Sequence, residues 1–404
     1  MNVLKRILPT TAILMLFNPA AIALENEGSW GNIVRELIKA EIETSGTPSI
    51  QVAIGMNNKL IFNEAYGLAD VENNVEATPD TKYRIGSVSK WITATSVMAL
   101  VDQGKIDLDL PIQTYCKHYP IKQSKISSRQ LLNHTSGIRH YIDYEEEIKN
   151  ATSEELVAKL ADQRDRDILS SHTRYTDIES TLDSFKNDEL LFEPGADWSY
   201  SSHAYRVLGC VLEGASQKNY RELVGELVFH KAKMQSTIDD DSWAIVANKA
   251  SGYRLRRDKT LRLADMRDVS ENLPAGGHLS TASDLILFSQ AFRNGTLLSS
   301  ESIFMMSKAF RSNRVKMERK ASWRDAIPSK DYYGHGTMFF PGEDAMWLGH
   351  TGRIAGGSSI VLLHPEHNLS IAILTNAKGW NGYISFSKKI RATLEKKLSL
   401  LRSK

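Results

Sequence analysis

The stretch from Ser87 to Val101 is almost wholly apolar or small, yet it contains one charged side chain, Lys90. Residues three apart lie on the same face of a helix, so the Lys90 amine can reach the Ser87 hydroxyl. Burial in such a segment disfavours the ammonium form and lowers the pKa of a lysine. A neutral lysine beside a serine hydroxyl is a general base beside a nucleophile, and this pair predicts catalysis through Ser87.

The Ser-x-x-Lys spacing alone is a weak signal. The same spacing recurs at Ser385 and Lys388, on a predicted amphipathic helix where both side chains are expected to face solvent. The Lys90 amine could also extend to water along its aliphatic stem. The surrounding sequence has to decide between these readings.

Two later segments carry residues suited to the same site. "EPGADWSYSSHAY" places a Pro-Gly turn before Tyr200, and a tyrosine near a lysine can relay protons. "MWLGHTGRIAGGSS" places His350, Thr351 and Gly352 on a predicted strand, followed by small residues that permit close backbone approach. The three segments in this order form a more specific pattern than any one of them.

Residues 1–23 have the pattern of a secretory signal peptide. Lys5 and Arg6 precede an apolar run, and the run ends in Ala-Ile-Ala, the small-residue spacing of a signal-peptidase site. An uncleaved membrane anchor is the alternative. The run is short and broken by Asn18 and Pro19, which favours cleavage over spanning. The expected location is the periplasm or the exterior of the cell.

Composition excludes several classes of function. The chain of 404 residues has 50 Lys and Arg against 48 Asp and Glu, and loss of Lys5 and Arg6 makes it neutral. A neutral chain has no electrostatic reason to bind nucleic acid or an anionic membrane. The histidines show no metal-ligand spacing and no Gly-rich phosphate loop occurs, so no cofactor or metal is expected. Cys116 and Cys210 either pair after export or stay buried thiols.

Hydrophobic patterning predicts strands near both chain ends and helices between them. One hairpin is predicted around Asn57 and Asn58, and a second around a turn at 365–368. A first amphipathic helix and a last one are expected to cover the sheet. Their apolar stripes are Ile33, Leu37, Ile38 and Ile42 in the first, and Tyr383, Phe386, Ile390, Leu394 and Leu398 in the last.

These elements predict an α+β fold with an antiparallel sheet built from the N- and C-terminal segments. After the signal peptide, residues 24–404 form a single predicted domain. Its α/β lobe comprises about 24–85 and 280–404, and a mostly helical lobe of about 86–279 is inserted between them. The cleft between two such lobes is the expected place for a site.

The motifs resemble those of the serine β-lactamase and penicillin-binding-protein superfamily, whose members carry Ser-x-x-Lys and Lys-Thr-Gly elements. The likeness covers nearly the whole chain after residue 23. It extends to the class C–like branch that includes the mitochondrial serine β-lactamase-like protein and its bacterial relatives. The segments that carry this closer likeness are "LLNHTSGIRHY", "IESTLDSFKNDELLFEPG", "AGGHLST" and "GHTGRIAGGSS".

The resemblance implies a role for each matching position. Ser87 would attack a carbonyl and become acylated, Lys90 would accept its proton, and Tyr200 would pass the proton to the leaving group. The backbone N–H groups of Ser87 and Arg353 would form the oxyanion hole. The remaining implied substrate-binding residues are Ser202, His350, Thr351 and Gly352.

Two positions depart from the family pattern. The usual Tyr-x-Asn is Tyr200-Ser201-Ser202 here, so an amide that grips the acyl side chain is missing. The usual lysine of Lys-Thr-Gly is His350, which is cationic only at lower pH. Both changes weaken the grip on a β-lactam or a D-Ala carboxylate, and Arg353 could supply the lost charge.

The sequence therefore predicts an exported serine hydrolase that acts through an acyl-enzyme as a peptidase, amidase or esterase. Its expected partner is a small peptide-like or ester substrate. One alternative is a genuine class C-type β-lactamase or D-Ala-D-Ala carboxypeptidase. Another is a catalytically weak binding or assembly protein, and a homo-oligomer stays open under either.

Overall fold

Strand-forming sequence at both ends of the chain assembles into one sheet. The computed structural model describes residues 28–308, 333–342 and 345–402. The predicted signal peptide lies outside these residues. Within them the strands are β1 (Ser49–Met56), β2 (Lys59–Asp70), β3 (Val75–Glu76), β4 (Tyr83–Arg84), β5 (Ile238–Asp239), β6 (Tyr253–Leu255), β7 (Leu261–Leu263), β8 (His278–Ser280), β9 (Met338–Pro341), β10 (Met346–Ile354), β11 (Gly357–His364), β12 (Leu369–Thr375) and β13 (Ala377–Lys378).

The main sheet of the described residues has seven antiparallel strands in the order β3-β2-β1-β12-β11-β10-β9. Its centre is the pairing of β1 with β12, so the two ends of the chain meet there. The predicted antiparallel sheet of an α+β fold is confirmed. Short strands β4 to β8 fall inside or at the edge of the segment predicted to be helical, where they form two small three-stranded sheets, one of them completed by β13.

Helices supply the other layers. The described α-helices are α1 (Gly28–Ser45), α2 (Ser89–Asp102), α3 (Ser128–Leu132), α4 (Tyr144–Lys149), α5 (Glu154–His172), α6 (Ser202–Ser216), α7 (Tyr220–Val224), α8 (His230–Ala232), α9 (Leu273–Gly276), α10 (Ala282–Arg293), α11 (Ser300–Met306) and α12 (Tyr383–Arg402). None of the described helices combines the length and apolarity that a membrane span requires.

Both predicted hairpins form where the turn residues permit. Asn57 and Asn58 have φ values of 51° and 64°, the left-handed pair that a two-residue turn between β1 and β2 needs. Asparagine tolerates this conformation better than other side chains. The second hairpin joins β11 to β12 around residues 365–368, with His364 paired to Leu369.

The terminal helices α1 and α12 cover one face of the sheet, as predicted. The apolar stripe of α12 is buried along its whole length. In α1 the prediction was wrong for Ile33, which is 48% exposed. Ile38 is buried as predicted, Leu37 and Ile42 pack half-buried against the same core, and Trp30 and Val34 complete the buried face.

The opposite face of the sheet packs against α10 and the buried helix α2. Ala53 of β1 and Ala372 of β12 belong to the same core cluster as Trp91 of α2. The Trp91 ring lies 5.0 Å from Phe288 and 5.2 Å from Phe292, both on α10. Helix α2 is therefore buried on every face, as expected for a helix whose sequence is apolar all round.

A disulfide ties two parts of the helical region together. Cys116 and Cys210 are bonded, which resolves the choice that the sequence left open. Cys210 lies on α6, the helix that begins directly after Tyr200. The crosslink therefore anchors an element that positions the candidate site.

Candidate active site

Ser87 lies at the junction between a loop and the central helix. It occupies a short 3₁₀ helix, Gly86–Val88, that runs directly into α2. Gly86 has a φ of 50°, a conformation that favours glycine, and this turn leads the chain into the helix. Ser87 is partly exposed, whereas its neighbours Gly86 and Val88 are buried. The hydroxyl is thus held in place and still reachable from outside.

Lys90 is completely buried and faces Ser87, which lies one helical turn earlier in the chain. Its Nζ lies 3.2 Å from Ser87 Oγ, 2.9 Å from Ser202 Oγ and 2.8 Å from the Ala275 carbonyl oxygen. The side chain is 0% exposed, so it does not extend to solvent. Ser385 and Lys388, which share the same sequence spacing, are both exposed. The structure thus separates the two Ser-x-x-Lys pairs that the spacing could not.

Burial lowers the pKa of Lys90 well below its usual value. Within the described residues no carboxylate lies within ion-pairing distance of its amine. The three contacts use the three N–H groups of the ammonium form, and once neutral the amine donates two bonds and accepts one. Donation to the Ala275 carbonyl and Ser202 Oγ leaves the lone pair for the Ser87 hydroxyl. This is the arrangement that a general base requires.

Tyr200 lies on the other side of the Ser87 hydroxyl. Its ring centroid is 5.0 Å from Lys90 Nζ, and its hydroxyl is hydrogen-bonded with Ser87. Burial raises the pKa of Tyr200, and the bond with Ser87 opposes that shift only in part. The phenol is therefore protonated at neutral pH, so it can act as a proton donor.

Two histidines hold the segment that contains Tyr200. The backbone N–H of Ser201 donates to His134 Nδ1 at 3.2 Å, and that of Ser202 donates to His140 Nδ1 at 3.1 Å. Burial is the largest cause that lowers the pKa of both histidines, that of His140 to about 3. Both rings are therefore neutral and can accept these bonds. His134 also packs on the Tyr200 ring at 4.4 Å.

Strand β10 passes against the Ser87 loop, and glycines on both sides allow the approach. A Cβ on Gly352 would lie 1.9 Å from the Ile85 carbonyl oxygen, and one on Gly86 would lie 2.9 Å from the backbone nitrogen of Arg353. Ser359 Oγ donates to the same Ile85 carbonyl at 2.6 Å. These contacts bring the backbones of Gly86 and Arg353 together, and Ser87 follows Gly86 directly.

His350 and Thr351 are buried on strand β10. His350 Nε2 lies 3.1 Å from the Tyr333 hydroxyl, and its Nδ1 lies 2.6 Å from the Thr351 carbonyl oxygen. Burial lowers the pKa of His350 to about 3. The ring is therefore neutral, and it does not supply the positive charge of the family lysine. Thr351 Oγ contacts Met338 Sδ at 3.5 Å.

A cavity of about 270 Å³ opens beside Ser87. Ser202 and Arg353, two of the residues assigned to substrate binding from the sequence, line it together with Ser87. Tyr200, His350 and Thr351 do not line it. Gly352 shapes the site through its backbone, because its lack of a side chain lets β10 approach the segment that contains Ser87.

The comparison with known families agrees with this geometry. Residues 34–389 match the family model described as beta-lactamase. The chain belongs to the β-lactamase family. This is a family of serine hydrolases, and the resemblance found in the motifs is confirmed.

Individual relatives are distant in sequence. The human mitochondrial serine β-lactamase-like protein LACTB is 27% identical over 396 residues, which cover 82% of this chain and 71% of that protein. A D-amino acid amidase from Ochrobactrum anthropi SV3 superimposes with a TM-score of 0.72 at 19% identity, over 92% of this chain and 99% of that one. An octameric penicillin-binding protein homologue from Pyrococcus abyssi gives 0.71 at 20%, over 91% and 77%. At such identity these two structures show the shared fold alone.

Sequence reasoning missed some contacts at the site. It did not find the Ala275 carbonyl as a partner of Lys90, since a backbone oxygen leaves no signature in a residue pattern. It assigned Ser202 to substrate binding, whereas the Ser202 hydroxyl also contacts Lys90. His140 carried no recognisable signal, although it lies in "LLNHTSGIRHY", one of the segments that carried the family likeness.

Proposed function

We propose that this protein is an exported serine hydrolase that forms an acyl-enzyme on Ser87, with Lys90 as general base. The observation that carries the proposal is the position of Lys90. It is fully buried, without a carboxylate partner among the described residues, and its amine lies 3.2 Å from the Ser87 hydroxyl. A folded domain bears the cost of such a lysine where the neutral amine has a use.

In the proposed acylation step, Ser87 Oγ attacks the substrate carbonyl carbon and its proton passes to Lys90 Nζ. The oxygen of the tetrahedral intermediate accepts hydrogen bonds from the backbone N–H groups of Ser87 and Arg353. Preorganised donors of this kind contribute several kcal/mol to the transition state. The Gly352 and Gly86 contacts support this assignment, because they hold the two backbone segments together.

Collapse of the intermediate breaks the bond to the leaving group. Tyr200 gives its phenolic proton to the departing amine or alcohol and recovers one from the Lys90 ammonium. Lys90 Nζ lies 5.0 Å from the ring centroid of Tyr200, so the two groups are neighbours in the site. Hydrolysis of the ester on Ser87 by water, with the same groups acting in reverse, then frees the enzyme.

The substrate class we propose is an amide or ester of a peptide-like acid. The D-amino acid amidase among the structural neighbours supports amide substrates. His350 is neutral and buried where the family has a lysine, which weakens the hold on a β-lactam carboxylate. The octameric neighbour supports testing the oligomeric state.

Export is part of the proposal. The signal-like pattern of residues 1–23 and the disulfide between Cys116 and Cys210 support it, because disulfides persist in oxidising compartments. Cell fractionation with mass spectrometry of the purified protein is expected to find a chain that begins at residue 24 outside the cytoplasm. A full-length cytoplasmic chain would contradict this.

A fluorescent fluorophosphonate tests the catalytic assignment. The probe is expected to label the wild-type protein on Ser87, located by peptide mass spectrometry, and Ser87→Ala should lose the label. Ser385→Ala is the matched control, since it removes the serine of the other Ser-x-x-Lys pair and is expected to keep full labelling. Labelling that persists in Ser87→Ala would refute the proposal, and rapid nitrocefin turnover would instead favour a β-lactamase.

A further inference from the structure

Three cations line the cavity beside Ser87 without a carboxylate partner. Arg267, Arg353 and Lys378 all contribute to its wall. Among the described residues none of them lies within ion-pairing distance of an acid. Arg353 Nη2 donates only to the neutral Asn381 side chain, at 3.2 Å.

The two acids of the same wall are engaged elsewhere. Asp268 Oδ1 accepts the backbone N–H of Ser270 at 2.9 Å, and its Oδ2 accepts from Ser242 Oγ at 2.5 Å. Glu271 is buried and faces Arg206, at 3.4 Å from Nη1. The guanidinium of Arg206 therefore balances Glu271 from behind the wall. Asp268 keeps its charge because its partners are neutral, so three cations face one uncompensated carboxylate and positive charge stays in excess.

Lys378 is the most constrained of the three cations. It is partly buried at the end of β13, which pairs with β6 and places Lys378 opposite Arg254. Burial lowers its pKa first, and the charges of Arg267, Arg254 and Arg353 lower it further, while Asp265 opposes them. An anion bound beside Lys378 would relieve this repulsion.

The residues that line the cavity do not include the proposed proton donor to the leaving group. Its lining includes Ser87 and Arg353, whose backbone N–H groups would hold the carbonyl oxygen, together with Asn272, Arg267 and Lys378. Tyr200, the proposed donor to the leaving group, is absent from its wall. The part of a substrate that enters this cavity is therefore the acyl part.

We propose that this cavity is an acyl-side subsite that selects a carboxylate, so that preferred substrates carry an acidic side chain on the acyl residue. The inference rests on the proposed function, because it assumes acylation of Ser87. The volume of about 270 Å³ is close to the lower end of small-molecule pockets and suits one acidic residue rather than a long chain. Arg267 and Lys378 are the positioning residues for the carboxylate.

Matched phosphonates give a direct test. The N-acetyl diphenyl phosphonate analogues of aspartic acid and asparagine are nearly isosteric and both phosphonylate an active serine. We expect the aspartic analogue to inactivate the protein at least about tenfold faster, the factor that one charge-assisted hydrogen bond contributes. Lys378→Gln and Arg267→Gln are each expected to reduce this ratio toward one. The exposed cation of α8, Lys231, does not line the cavity, and Lys231→Gln is the charge-matched control that keeps the ratio.

The outcomes separate this inference from the proposed function. Failure of the small fluorophosphonate to label Ser87 in the wild-type protein would refute both the proposed function and the subsite. If Ser87 is labelled but the two phosphonates react equally, or neither reacts, the subsite alone is refuted. A preference for 3-carboxyphenyl over 3-carbamoylphenyl acetate, without an acyl-side preference, would place the anion with the leaving group and overturn the proposal. Melting temperatures of the variants distinguish these results from misfolding.

Discussion

Ser202→Ala tests whether Lys90 works as a neutral base held by its neighbours. Ser202 Oγ accepts a hydrogen bond from Lys90 Nζ at 2.9 Å, and the Ser202 side chain is buried. Removing it leaves one N–H of the buried amine without its protein partner. The loss of one such bond costs about 1–2 kcal/mol. If the cost falls on the transition state, kcat/KM drops by roughly 5- to 30-fold.

The structure also predicts the direction in which the pH profile of Ser202→Ala shifts. Lys90 must be neutral to accept the Ser87 proton, so kcat/KM rises with pH through the pKa of Lys90, which burial places well below the ordinary lysine range. A hydroxyl acceptor stabilises an ammonium more than an amine. Its removal therefore lowers the pKa of Lys90, and the ascending limb is expected to move to lower pH while the plateau falls.

The neighbouring serine provides the matched control. Ser201 is the N-cap of α6, where its Oγ accepts the Ala204 N–H at 3.0 Å and donates to the Arg139 carbonyl at 2.7 Å. It makes no contact with Lys90. Ser201→Ala is expected to lower the free energy of unfolding by about 1 kcal/mol, the usual worth of an N-cap. The ascending limb of its pH profile should stay where it is in the wild type.

Hydrolysis of a phenyl ester, followed across pH for wild type and both variants, supplies the measurement. Urea unfolding gives the stabilities in parallel. A Ser202→Ala profile whose limb is unmoved, or moved to higher pH, would show that Ser202 does not bond the amine that titrates. An unchanged plateau would show that the contact is irrelevant to the rate.

Three further perturbations address the base, the oxyanion hole and the crosslink. Lys90→Met should abolish labelling of Ser87. It should also raise the melting temperature at neutral pH, because the unfolded chain protonates this lysine more readily than the folded one. This gain in melting temperature should shrink as pH rises toward 10.5, and thermal melts across pH check it. Gly352→Ala should displace Arg353 and lower kcat/KM about 100-fold, because the new Cβ would lie 1.9 Å from the Ile85 carbonyl oxygen. A nearly unchanged kcat/KM would show that β10 plays no part in catalysis. Replacing Cys116 and Cys210 by serine should cost about 2–5 kcal/mol in urea unfolding, and no loss would mean that the bond adds nothing to stability.

The sequence was most informative where local rules govern the structure. The Asn57-Asn58 turn, the two hairpins and the stripe of α12 follow from turn chemistry and from the periodicity of helices and strands. The Ser87–Lys90 contact also follows from helical spacing. Local rules failed for Ile33 of α1, which faces outward while Trp30 and Val34 pack on the sheet, because spacing alone does not fix which edge of an apolar stripe is covered.

The sequence by itself determined which groups can do chemistry here: a serine and a lysine one turn apart in an apolar helix, a tyrosine after a turn, and a glycine-rich strand. Only the tertiary structure decided which lysine is buried, since Lys90 and Lys388 share the same spacing from a serine and differ in what surrounds them. It also decided that the Ala275 carbonyl holds the amine and that Lys378 faces the cavity. Burial, and the pKa that follows from it, depends on atoms brought from distant parts of the chain, and no local pattern contains them.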